Sequence, residues 1–540
     1  MRNIGWKALF LAGLAVIWAV AGGCHRKEVK TKDTLMPQVE LGTAIGSVAD
    51  MIKPTPAQIE GYGLVGGLAG TGSAYCPAQL RAYLKQYILT QLPTERVNLD
   101  ELLSSKNTAV VRLDAMLPAT PELDEHFDVQ VSLVPGSEAT SLRGGWLYKA
   151  ELVAQGTFGV DTQPLGTVAG PVFIAAGSTD NASLKTGCII GGGRTLHKYA
   201  GILRSKRSAY RLTSDIRNRL CERYGQNTAR AVSPRDVEVQ IPPEFLRRKQ
   251  RFIAMVPATY LETSPELINA RIDTFVYQLA GGQDKEAAEI ALEAVGKECL
   301  GKLSVLLKAS EPEVRMRAAR CMLALSDDRA FPVLREMAVD AKSPLRMEAL
   351  NAIMVSAKRN DAVALARRLL RDPDKAVVLA AYENLREIED PAIKRETVGR
   401  SFQLEQVIQT DRRAIYVSRS GDPRIVLFGA PLECSNNIFV ESPDQSIIVN
   451  ARPEETAVSL TRKHPTRSGI LGPVRADFDV ASIVRALGSE AKTASGGRLL
   501  GLGASYEQVI AVLEQMCAKG VANAEFWAGP LPEIGLPVKK

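Results

Sequence analysis

Residues Gly61 to Gly72 read Gly-Tyr-Gly-Leu-Val-Gly-Gly-Leu-Ala-Gly-Thr-Gly, and a second glycine-bearing string, Ser141-Leu142-Arg143-Gly144-Gly145, follows. Gly61, Gly63 and Gly66 formally satisfy the dinucleotide spacing G-x-G-x-x-G. That chemistry needs a strand before the motif and a helix opening inside it. Here the preceding stretch, Pro54–Glu60, is polar and holds two prolines, and more glycines follow. The phosphate-cradling loop fails too, because Gly70-Thr71-Gly72 is followed by Ser73 with no lysine. These glycines are read as backbone freedom and close approach, within a subunit or between subunits. The same reading applies to Gly191-Gly192-Gly193. Arg143 beside two glycines suits a bidentate contact to a carboxylate, on a neighbouring subunit or within its own chain.

Working outward, the chain alternates between two textures. From about Lys53 to Glu262 it is mixed. Ala109, Val111, Leu113 and Ala115 alternate with Arg112 and Asp114; Val129, Val131 and Leu133 alternate with Gln130 and Ser132. Val237, Val239 and Ile241 do the same, so these are strands with one buried face. Helical periodicity appears at Pro77–Leu92 and Leu212–Tyr224. Between about Asp284 and Arg395 the sequence turns helical and repeats. Ala287, Ala318, Ala349 and Ala380 are 31 apart, as are Ala288, Ala319, Leu350 and Ala381, and Leu292, Leu323, Met354 and Leu385. Glu311-Pro312, Ser343-Pro344 and Asp372-Pro373 recur ahead of the second helices. A fixed period of this size predicts an α-solenoid of HEAT-like units, either a stability insert or a concave docking surface for another protein.

After Arg400 strands return at Ala414–Val417, Arg424–Phe428, Ile438–Val440 and Ser446–Val449. A helix follows Ser505, which forms a capping box with Gln508. Val509, Val512, Leu513, Met516 and Cys517 share its apolar face, and Gly520 ends it. The fold class is α+β, a mixed core interrupted by an all-α insertion. The expected organisation is a signal peptide (1–23), a tether (24–52), an α+β region (53–275), the solenoid (276–400) and a second α+β region (401–540).

Arg2 and Lys7 precede the apolar run Ala8–Val20, and Ala21-Gly22-Gly23 precedes Cys24. The run is short for a bilayer span and fits a cleaved lipoprotein signal, with lipidation at Cys24. Acyl chains there would hold the mature chain on a membrane. The 540 residues are 46% hydrophobic, enough for sizeable cores, and the net charge of +7 suits anionic neighbours such as lipid headgroups or cell-wall polymer. No Lys/Arg run is interleaved with aromatics, which argues against nucleic-acid binding. No CxxC cluster occurs among eight cysteines, and only four histidines are present, so a zinc site is not expected. Neither GxSxG nor HExxH is present. The acidic pairs Asp124/Glu125 and Asp327/Asp328 read as solvated carboxylates. No cofactor and no catalytic residue is expected.

Four separated stretches carry a resemblance. They are Gly61–Gly72, then Asn107–Gly156 with NTAVV, SLRGG and VAQG, then Tyr210–Pro243, and finally Ala414–Trp527 with ASIVRAL and LGASYEQVIAVLEQM. In this order they resemble the flagellar P-ring protein family. The resemblance implies a non-catalytic subunit of a periplasmic ring around the flagellar rod. Its implied partners are further copies of itself, the rod, the L-ring and peptidoglycan or outer-membrane lipid. Gly61, Gly63, Gly66, Gly70, Gly72, Arg143, Gly144 and Gly145 are then family-motif structural residues. The lipoprotein start resembles outer-membrane lipoproteins, because His25 replaces the Asp that retains such proteins inside. Cys434 lies in PLECSNN, which resembles a cysteine-bearing segment of some family members. With Cys517 it would form a disulfide, the alternative being two unpaired buried cysteines. A lipidated start and a helical insertion depart from the family pattern. They leave open a lipid-anchored envelope scaffold outside the flagellum.

Overall fold

The computed structural model describes residues 40–532 except 53–55, 92–97, 160–162, 176–180, 199–200, 400, 465–467 and 494–498. The signal peptide, Cys24 and most of the tether lie outside the described residues.

The alternating segments pair as their burial demands. Strand β1 (Ala49–Ile52) belongs to a small sheet. It is followed by a closed antiparallel barrel of β2 (Ala57–Gly66), β3 (Ala109–Leu117), β4 (His126–Leu133), β5 (Trp146–Ala154), β6 (Gly166–Pro171) and β7 (Thr186–Thr195). Around the barrel the order is β2-β3-β4-β7-β6-β5. Val111, Leu113, Val129, Val131, Leu147, Leu152, Val168 and Ile189 fill it, so the interior is a packed core. Helix α1 (Ala78–Gln91) packs on its wall through Leu84, which meets Leu64, Val110 and Val134. Strands β8 (Gly201–Ser205), β9 (Ala229–Ala231) and β10 (Asp236–Val239) complete the small sheet in the order β1-β8-β10-β9. Helices α2 (Tyr210–Tyr224) and α3 (Lys249–Ala258) contribute Leu220, Tyr224 and Phe252 to the same core.

The helical texture runs from α4 (Pro265–Gly281) through α5 (Lys285–Val295), α6 (Pro312–Ala324), α7 (Phe331–Val339), α8 (Arg346–Ser356), α9 (Arg359–Leu369) and α10 (Lys375–Glu387). It therefore starts before residue 276 and stops well before 400. The expected boundary at 400 also takes in a strand, β11 (Ile393–Val398), which gains its partner only from β12 (Phe402–Val407). Two of the three repeat registers are buried throughout: Ala288, Ala319, Leu350 and Ala381, and Leu292, Leu323, Met354 and Leu385. The third frays, since Ala318 and Ala349 are buried but Ala287 is exposed. Pro312 occupies the first turn of α6, where its missing N–H costs nothing.

The C-terminal layer holds β13 (Ala414–Val417), β14 (Arg424–Phe428), β15 (Ile438–Glu441), β16 (Ile447–Ala451), β17 (Val458–Lys463), β18 (Ile470–Ala476), α11 (Val480–Gly488), α12 (Tyr506–Ala518) and β19 (Glu525–Ala528). One mixed sheet runs β11-β12-β14-β13-β19, and β15 to β18 form an antiparallel sheet in chain order. The chain is thus α+β. No helix among the described residues is long and apolar enough to cross a membrane.

Candidate functional site: the glycine-lined wall and the junction it faces

Only the first half of the first glycine string, Gly61–Gly66, lies within β2, and Gly67–Gly72 follow it in a turn. Gly61 pairs with Leu113 and Gly63 with Val111. The other neighbour is β5, and the approach is close. A Cβ on Gly61 would sit 2.3 Å from the Glu151 carbonyl oxygen, and one on Gly63 would sit 2.8 Å from Leu147 Cδ1. Gly66 faces the Tyr148 ring, and Gly72 sits against the Thr108 carbonyl oxygen. Close approach is therefore the service of these four, within one subunit. Gly70 and Gly144 have open space around them and positive φ, +90° and +73°, so their service is the left-handed turn. Gly145 packs beneath Val65, which joins the two strings.

Arg143 does not reach outward. Its Nε lies 3.0 Å from Glu507 Oε1, in the first turn of α12. The capping box between Ser505 and Gln508 is present and starts the helix whose first turn carries Glu507. Glu507 is 8% exposed. Burial pushes its carboxyl up to about 7, against the pull of Arg143 and of the Ile174 N–H. Tyr506 beside it donates to the carbonyl oxygens of Ser418 and Arg424, both at 2.7 Å, and its ring neighbours Phe173 and Phe402. Phe173 and Ile190 share one apolar cluster with Leu404, Ile415 and Val509, so barrel and C-terminal layer have a common core.

A second polar clamp lies across the same junction. Asp128 on β4 accepts from the Gly191 N–H at 2.7 Å and from the Gly421 N–H at 3.0 Å. Burial raises the Asp128 carboxyl against these bonds. His126 stands 3.6 Å from Asp422, whose carboxylate accepts from Arg386 of α10 at 2.9 Å. Arg386 also holds Glu405, which takes the Tyr382 hydroxyl at 2.5 Å. Barrel, helical array and C-terminal sheet are thus tied by charge-assisted bonds in a low-dielectric setting. The helical array has its own buried ion cluster. Fully buried Glu289 accepts both Arg320 nitrogens at 2.6 Å and lies 3.1 Å from Arg317 and Arg251.

The motif residues Arg143, Gly145 and Gly66 come together at the β2–β5 end of the wall, and Arg143 meets the last helix. Sequence reasoning missed Glu507, Asp128 and Gly421. The capping box marked where Glu507 begins its helix, but nothing local named its partner. Cys434 and Cys517 pack on the same cluster as free thiols, and burial lifts them to about 12 and about 11.

Comparison with known proteins bears on the same segments. A family model described as flagellar P-ring protein matches residues 45–278, which hold β1, the whole barrel and the small sheet. A flagellar P-ring protein of Hydrogenovibrio crunogenus is 26% identical over 292 residues, 50% of this chain and 71% of that protein. One of Helicobacter pylori is 26% identical over 254 residues, 44% of this chain and 68% of its own length. One of Albidiferax ferrireducens is 33% identical over 242 residues, 41% of this chain and 62% of its own length. This match and the shared name of these proteins identify the chain as a relative of the flagellar P-ring family through residues 45–278.

Proposed function

We infer that the chain is a structural subunit of the periplasmic ring of a flagellar basal body and turns over no substrate. The observation that supports this most directly is the family match, which takes in the complete barrel and the small sheet. A barrel filled with side chains and clamped to the C-terminal layer by the Arg143–Glu507 pair and the Asp128 bonds is a rigid module. Rigid modules can fix the rotation between identical copies joined head to tail, so that a ring closes. In this reading Cys24 carries lipid and holds the subunit on the inner face of the outer membrane, while rod, L-ring and cell wall locate the ring. Residues 53–275 and 401–540 form its core. The helices between act as a HEAT-like solenoid that offers one face to a further protein. In the oxidising periplasm Cys434 and Cys517 close into a disulfide.

Electron microscopy of isolated basal bodies, with gold label on this chain, tests the proposal. Label on the ring around the rod, and loss of swimming on deletion, are expected. Basal bodies without the label and undisturbed swimming after deletion would overturn it and favour an envelope scaffold.

A further inference from the structure

A cavity of about 400 Å³ opens between α2, α4 and the turn after α5, outside the barrel junction. Arg219, Arg223, Arg271 and Lys297 line it, against two lining carboxylates, Glu222 and Glu298. The arginines are held from behind. Arg219 Nε donates to the Tyr260 carbonyl oxygen at 2.9 Å and its Nη1 to the Glu222 carboxylate at 2.9 Å, while Arg223 donates to the carbonyl oxygens of Ala294 and Glu293, both at 3.0 Å. Arg271 donates to the carbonyl oxygens of Leu41 and Glu262 and stacks 4.1 Å from the centre of the Tyr260 ring.

Arg271 is only 2% exposed, yet its Nη2 has no hydrogen-bond partner. The nearest carboxylate, Glu262, stands 3.7 Å away and accepts from the Thr43 N–H at 2.7 Å. Positive charge exceeds negative even with Glu262 included. Burial presses the Arg271 guanidinium below its ordinary range, Tyr260 and Glu262 pull against it, and the neighbouring Arg219 adds a smaller push downward. A chain that buries this much guanidinium leaves the local balance to something else.

The geometry points to a binding site for a phosphate group in this cavity, gripped by Arg219, Arg271 and Lys297. Guanidinium edges from separate helices suit a tetrahedral oxyanion, which offers acceptors in several directions, better than a flat carboxylate. The phosphate belongs to a soluble ester or to a lipid headgroup, since both present the same oxygens.

Calorimetric titration of the full chain at low ionic strength tests this, with inorganic phosphate, glycerophosphoglycerol and acetate as separate titrants. One saturable phosphate site per chain is expected. Arg219→Gln and Lys297→Gln should each weaken it roughly tenfold. Lys342→Gln, the same charge change elsewhere, should leave it intact. Circular dichroism checks that the variants fold, and Lys297→Gln, at an exposed residue, keeps the test decisive where Arg219→Gln perturbs its own contacts to Tyr260 and Glu222. Binding of the diester as well assigns a headgroup; binding of inorganic phosphate alone assigns a soluble ester. No phosphate binding, tighter binding of acetate, or equal binding in all variants would overturn the assignment.

Discussion

Removing Arg143 should cost far more stability at pH 8 than at pH 5. Glu507 is buried and titrates near 7 in the folded chain, against about 4.3 for an unperturbed glutamate. At pH 5 the folded protein holds it mainly as the neutral acid. Arg143→Ala then removes one bond from a neutral partner, about 1 kcal/mol. At pH 8 the carboxylate is ionised, and the same change leaves a buried charge without its cation, about 3–5 kcal/mol. The sign follows from proton binding. Between about 4.3 and 7 the folded state holds the proton and the unfolded state does not, so stability falls as pH rises. Raised folded-state affinity of this size is worth about 4 kcal/mol at most, all present below the unfolded value and lost above 7. Glu507→Gln should flatten that slope. The assay is urea unfolding of wild type, both single variants and the double variant at pH 5 and pH 8. Amide exchange across Tyr506–Ala518 gives the local readout, since a chain of this size need not unfold in one step. Equal cost of Arg143→Ala at both pH values, or an unchanged slope in Glu507→Gln, would refute the reasoning.

Gly61→Ala places a methyl 2.3 Å from the Glu151 carbonyl oxygen and should destabilise the barrel by about 1–3 kcal/mol, read as a lowered thermal midpoint. Glu289→Gln leaves Arg320, Arg317 and Arg251 facing a neutral group in a buried setting; a loss of about 3–5 kcal/mol, with faster exchange in α5 and α6, is expected by denaturant titration. Ser505→Ala removes the cap that accepts from the Gln508 N–H and should cost about 0.5–2 kcal/mol, with the loosening confined to α12.

Local signals were legible where one residue type dictates its own surroundings. Alternation at Val129, Val131 and Leu133 named a strand face, and Ser505 with Gln508 named a helix start. The period of 31 named four equivalent helices, because a buried helix face repeats in sequence as it repeats in space. The β11 strand was not legible, because Lys394, Arg395 and Glu396 mask its alternation and its pairing depends on β12.

The sequence by itself determined the α+β class, the helical interruption and the close-packing service of the glycines, since these rest on period, composition and backbone freedom. Only the tertiary structure decided which backbone each glycine admits, that Arg143 turns inward to Glu507, and that three arginines from α2 and α4 converge on one cavity. Those outcomes depend on pairs far apart in the chain. Their energies come from burial and charge in a shared low-dielectric space, which no local stretch of residues encodes.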